Sequence, residues 1–118
     1  TYVNAGHNYP YVLHEDESFD RLDRGGMILG VMKTTVAYEE GTVQCRGGDT
    51  LVLFTDGVSE AMSTTQEEYG EERLERVLRD SMSGTAQDIL DAIHRDVLVH
   101  TQGAPQSDDI TMMVLKIL

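Results

Sequence analysis

The sequence predicts an α+β domain in which two helices lie on a mainly antiparallel sheet. Three observations carry that expectation. Leu51-Val52-Leu53-Phe54 and the run from Ile110 to Leu118 are apolar and β-prone, and the first is too short for a helix. Two consecutive stretches with helical periodicity stand between them. The chain ahead of residue 50 is rich in short β-type runs punctuated by turns. Strands, then two helices, then a returning strand favours helices layered on an antiparallel sheet. No repeat, low-complexity tract or internal boundary is visible, so residues 1–118 read as one domain or a piece of one.

Thr1 to Ala5 reads as a short strand, Gly6-His7-Asn8 as a turn, and Tyr9 to His14 as a second strand, the pair forming a hairpin. Pro10 places that second strand near an edge or at its own first residue. Glu15 to Ser18 is a polar turn and Phe19 to Leu22 a weak third strand. Arg24 to Val31 is an apolar segment flanked by Gly25, Gly26 and Gly30. Those glycines suggest unusual backbone angles or close approach of another group. A phosphate-binding loop is excluded there, because no Gly-Lys-Ser/Thr follows and no helix is signalled behind it. Val36 to Cys45 alternates loosely, as one bent strand or as a hairpin through Gly41. Arg46 to Asp49 is a tight turn into the central strand, which ends at Asp56-Gly57.

Gly70-Glu71-Glu72 opens the first helix with acid in its first turn, where the helix dipole favours it. Leu74, Val77, Leu78 and Met82 share one face, and Ser83-Gly84 ends the helix. Thr85 and Asp88 form a near capping box for the second helix. Its stripe is Ala86, Ile89, Leu90, Ile93 and Val97, and it ends by Gly103 with Pro105 beyond. The last strand, Ile110 to Leu118, is long and apolar enough to be central as well.

Composition narrows the function. The net charge of −12 argues against nucleic acid and against an anionic membrane surface, both of which need a basic face. No apolar run reaches the ~18 residues of a membrane span. The chain opens on Thr1-Tyr2-Val3 with no signal peptide and no Met, as if excised from something longer. Cys45 is the lone cysteine, which excludes an internal disulfide and points to a reducing, cytoplasmic setting. The acidic balance is a solvated surface, or in part a set of carboxylates gathered for divalent cations.

Two acidic positions stand out by placement. Asp56 follows one apolar strand at its C-terminal end, and Asp108-Asp109 precede another at its N-terminal end. If those strands pair antiparallel, both sites reach the same sheet edge. Carboxylate oxygens clustered there suit Mg²⁺ or Mn²⁺, and a pair of such ions can activate a water against a phosphorus centre. On spacing alone, Asp56-Gly57 reads equally as a plain turn and Asp108 as a strand flank. Other chemistries have less support. Ser59 lacks a nucleophile elbow and has no His beside it. His94 and His100 read as solvated helix residues, zinc lacks its ligand pattern, and Cys45 has no activating neighbour in sequence. An aspartyl-phosphate mechanism of the haloacid-dehalogenase kind would need Asp at position 54, where Phe54 stands.

Asn4-Ala5-Gly6-His7-Asn8, Leu29-Gly30, the run Gly48 to Ala61 and Asp108-Asp109-Ile110-Thr111 occur in this order across the whole chain. Together they resemble the C-terminal part of bacterial PPM-type serine/threonine phosphatases of the SpoIIE and RsbU kind. The resemblance implies an α-β-β-α sandwich, a two-ion Mn²⁺ or Mg²⁺ centre, and hydrolysis of phosphoserine or phosphothreonine by metal-activated water. It implies that Asp56 and Asp108 are metal ligands and the catalytic pair. It places Asp109 as an orienting member of the site and Gly57 as the residue allowing close backbone approach to the metal shell. Its implied substrate is a phosphorylated anti-sigma-factor antagonist. The family's first acidic motif lies upstream of anything resembling Asn4-Ala5-Gly6-His7, so the N-terminal part of the domain is expected to be missing here and the isolated chain weakly active or inactive. The alternative is a non-catalytic regulatory module that self-associates, as a homodimer, through exposed sheet edges.

Overall fold

A computed structural model describes residues 1–33 and 36–118. Four strands form one sheet: β1 (Tyr11–Leu13), β2 (Phe19–Arg21), β3 (Thr50–Phe54) and β4 (Met112–Lys116), in the order β2-β1-β3-β4. Every pairing is antiparallel, with Tyr11 opposite Arg21, Tyr11 opposite Val52, and Phe54 opposite Met112. Among the described residues, three helices complete the fold: α1 (Asp56–Ser59), α2 (Glu71–Ser81) and α3 (Ala86–Thr101).

One face of the sheet carries the core. Thr50, Val52 and Phe54 alternate inward along β3 and are buried, as a half-buried strand requires. Val52 and Phe54 share the core with Leu74 and Leu78 of α2 and Ile89, Ile93 and Val97 of α3, all buried. Tyr11 joins them, its ring 5.6 Å from that of Phe54 and nearly parallel to it. Of the stripes predicted from periodicity, Leu74, Val77, Leu78, Met82, Ile89, Ile93 and Val97 pack in this core, whereas Ala86 and Leu90 stand outside it. The capping box at Thr85 and Asp88 is also present, with each side chain bonded to the other residue's backbone N–H. Lys116 of β4 reaches under the end of α2 and donates to the carbonyl of its C-cap Met82, which the helix end leaves without a partner, and to that of Gly84 in the turn beyond.

Three expectations are corrected. Thr1 to Ala5 does not pair with Tyr9 to His14. Instead Tyr2 bridges to Gly41 and Asn4 to Gly25, while β1 forms its hairpin with β2 through the Glu15–Ser18 turn. The glycine at 25 is required there, because a Cβ would overlap the Asn4 backbone. Val36 to Cys45 forms no strand beyond the single bridge at Gly41, since loose alternation supplies no sheet neighbour. The last strand is an edge in this sheet, with Met113 and Leu115 exposed on the face away from the helices. Asp56 and Gly57, for which a plain turn is one reading, open the one-turn helix α1.

Candidate functional site

The antiparallel register of β3 and β4 decides where the acidic residues fall. Phe54 opposite Met112 puts Thr55 beside Thr111, and Asp56 and Asp108-Asp109 therefore emerge at one edge of the sheet. The juxtaposition expected from the two apolar strands is present. The two segments touch through backbone. A Cβ on Gly57 would overlap the carbonyl oxygen of Asp109, so only glycine allows this approach. Gly57 is buried under Asp109, whereas Asp56, Asp108 and Asp109 are exposed.

Each carboxylate has a distinct setting. The backbone carbonyl of Asp56 accepts from the Glu60 N–H at 2.8 Å and the Ser59 hydroxyl at 3.4 Å. Its carboxylate takes part in no ion pair among the described residues. One carboxylate oxygen of Asp108 accepts from the Asp109 N–H at 2.7 Å, which holds its orientation. The donor chemistry suits a hard divalent cation that keeps several waters. The number of donors does not complete a site: among the described residues no three His, Cys, Asp or Glu side chains converge as metal ligands. Asp56 and Asp108-Asp109 thus offer the oxygen donors such an ion takes, at one end of the β3–β4 pair, without completing a shell.

Other chemistry-bearing residues have structural partners. The His100 ring accepts from Arg73 at Nδ1, 3.1 Å away, and donates from Nε2 to the Glu67 carbonyl at 2.9 Å, so it is a bonded linker rather than the solvated histidine its helix position suggests. Asn4 accepts from the N–H groups of Gly6 and His7 and donates to the carbonyls of His7 and Leu22. The Asn-Ala-Gly-His motif is therefore a loop organised by its asparagine. A cleft of about 620 Å³ opens beside it between His7, Arg24, Glu39 and Glu71. Neither Asp56 nor Asp108 lines that cleft, and the oxygen-donor chemistry lies at the sheet edge.

The match to known proteins covers the chain end to end. Residues 1–118 match the family model described as Stage II sporulation protein E (SpoIIE). The chain belongs to the SpoIIE family. It is 33% identical over 115 residues to Protein IcfG of Synechocystis sp., spanning 98% of this chain and 18% of that protein. It is 31% identical over 118 residues to the phosphoserine phosphatase RsbU of Bacillus subtilis, spanning 98% of this chain and 34% of that one. Among solved structures, the SiaA PP2C domain of Pseudomonas aeruginosa superposes with a TM-score of 0.76 at 22% identity, over 93% of this chain and 43% of that one. The Mn-presoaked phosphatase domain of SpoIIE from Bacillus subtilis gives 0.67 at 19% identity, over 96% and 48%. These likenesses establish the fold, that of a PP2C phosphatase domain, and bear out the α+β architecture. The SpoIIE-family chain spans only part of that domain: less than half of each solved chain and about a third or less of each curated relative. No helix of the described residues is long and apolar enough to cross a membrane.

Proposed function

We propose that the protein carrying this chain is a metal-dependent phosphatase of phosphoserine or phosphothreonine in proteins, and that this chain supplies one side of its metal centre. The observation that carries this reading is the β3–β4 register, which sets Asp56 and Asp108-Asp109 at one sheet edge with their backbones in contact. Membership of a family whose relative RsbU is a phosphoserine phosphatase supports the reaction class. Asp56 and Asp108 would hold Mn²⁺ or Mg²⁺, with Asp109 keeping Asp108 oriented through its N–H. Gly57 keeps the two segments close. Such ions, when bound, activate a water and offset charge developing on a phosphoryl group. The remaining ligands would come from the part of the domain outside this chain, so the chain alone is expected to turn over weakly or not at all. The substrate is proposed to be a phosphorylated anti-sigma-factor antagonist in the cytoplasm, on the family resemblance.

The test is calorimetric titration of the complete protein with Mn²⁺, paired with hydrolysis of a phosphoserine protein. Saturable binding and turnover, both lost in Asp56→Asn, are expected. An Asp56→Asn protein that binds and turns over like the wild type overturns the assignment. A second reading, self-association without catalysis, draws on the exposed Met113 and Leu115 along the β4 edge. Light scattering that shows only monomer removes it.

A further inference from the structure

Thr55 precedes Asp56 at the N-cap of α1, where a threonine hydroxyl ordinarily accepts from a helix N–H. Here the Thr55 side chain makes no cap hydrogen bond. It crosses to the neighbouring segment, accepting from the Thr111 N–H at 3.0 Å and donating to the Asp109 carbonyl at 3.0 Å. The backbone N–H of Thr55 adds a bond to the Thr111 carbonyl, also at 3.0 Å. One hydroxyl proton and one lone pair are thus both used, on partners either side of Ile110. One of those partners belongs to Asp109 itself. With Gly57 pressed against the same carbonyl from below, the Asp109 peptide is held by the two residues that flank Asp56.

We propose that Thr55 is a positioning residue, whose hydroxyl sets the spacing between the Asp56 carboxylate and the Asp108-Asp109 pair and thereby the affinity of the centre for a divalent metal. The inference rests on the metal-centre reading above and adds a residue to it. A hydroxyl that merely extended the β3–β4 ladder by one rung would affect stability and leave metal affinity alone. Groups that orient metal ligands behave differently: their removal costs on the order of 10–100-fold in metal affinity.

The experiment uses the complete, metal-stripped protein and two variants. Thr55→Val keeps the shape and the β-branch without the hydroxyl, and Thr55→Ser keeps the hydroxyl. Mn²⁺ affinity is read by calorimetry, the Thr111 amide by hydrogen exchange, and metal-free melting by circular dichroism. The expected result is Mn²⁺ binding weaker by about 10–100-fold in Thr55→Val, with faster Thr111 exchange, both restored in Thr55→Ser, and similar metal-free melting for both variants. Wild-type Mn²⁺ affinity in Thr55→Val, or equal loss in Thr55→Ser, overturns the proposal. So does a loss of affinity matched by collapse of the metal-free melting temperature, which marks a purely structural role. Asp56→Asn separates the two levels. If it abolishes binding while Thr55→Val binds normally, only the positioning role fails. If Asp56→Asn itself binds normally, the metal-centre reading fails and the positioning role with it.

Discussion

The Nδ1 of His14 lies 2.9 Å from an Asp49 carboxylate oxygen, and that carboxylate is almost fully buried. On its other side the same ring meets Asp20 through Nε2 at 2.9 Å. The imidazole therefore ties β2 and the end of β1 to the turn that launches β3. Only the protonated ring donates at both nitrogens. The hydrogen bond to Asp20, then that to Asp49, hold the His14 pKa above its ordinary value. Burial alone would raise the Asp49 carboxyl, but the Arg46 backbone N–H and the His14 ring outweigh it and hold it below the usual range.

The sign of the pH dependence follows. His14 titrates higher folded than unfolded, so its contribution is complete below about pH 6.5 and is lost as pH rises through the folded value. Asp49 titrates lower folded than unfolded, so its contribution is lost as pH falls below about 4. The melting temperature is expected to decline as pH rises above about 6.5, and to decline less in His14→Gln. A His14 ring that titrates by NMR at or below the free-imidazole value sinks this account.

Asp96 on α3 joins the helix pair through three bonds. Arg73 of α2 donates to both of its oxygens, at 2.8 and 3.1 Å, and the buried Tyr69 hydroxyl donates at 2.7 Å. The Arg73 guanidinium holds the Asp96 carboxyl below the usual carboxylate range. Burial, then Asp96, pushes the Tyr69 phenol upward. Removing the acceptor in Asp96→Ala strands a buried hydroxyl, which costs about 1–3 kcal/mol. Urea denaturation is expected to show that loss, with Asp96→Asn milder because its amide oxygen still accepts. Equal stability of Asp96→Ala and wild type would remove the network from any structural role.

The helices and the central strand were legible because their signals are local. Ile89, Ile93 and Val97 repeat at helical spacing, Thr85 and Asp88 sit three apart, and Leu51 to Phe54 is continuous. The errors fall where the deciding contact is remote in sequence. Nothing in Thr1 to Ala5 announces that its partners are Gly25 and Gly41. The four residues of α1 are too few to show a period. Asp56 and Asp108-Asp109 stand out in the sequence because each flanks an apolar run. The Thr55 contacts leave no local signal, because its hydroxyl bonds 54 and 56 residues away and a threonine before Asp-Gly reads as an ordinary cap or turn.

Burial separates two leucines that share the helical layer. Leu78 is fully buried between sheet and helices, whereas Leu98 is 56% exposed. Leu78→Ala removes contacts the core cannot replace and is expected to cost about 2–5 kcal/mol. Leu98→Ala is expected to stay within about 0.5 kcal/mol of wild type. Denaturant melts of both variants check the contrast, and similar losses at the two positions would contradict the helix orientation described here.

Gly57→Ala sets two effects against each other. Alanine is better than glycine inside a helix by about 1 kcal/mol, and Gly57 lies in α1. The new Cβ, however, would overlap the Asp109 carbonyl oxygen, a backbone atom that cannot rotate away as a side chain does. That carbonyl also accepts the Thr55 hydroxyl, so moving it breaks a second contact. Overpacking of this kind costs about 1–3 kcal/mol, and the one-turn helix is too short for propensity to compensate. The variant is expected to melt lower than wild type and to exchange its Thr111 amide faster, because the Asp109–Thr111 segment shifts away from Thr55. If Gly57→Ala were instead as stable as wild type with an unchanged Thr111 amide, the close approach of these two segments would not be the constraint that glycine meets.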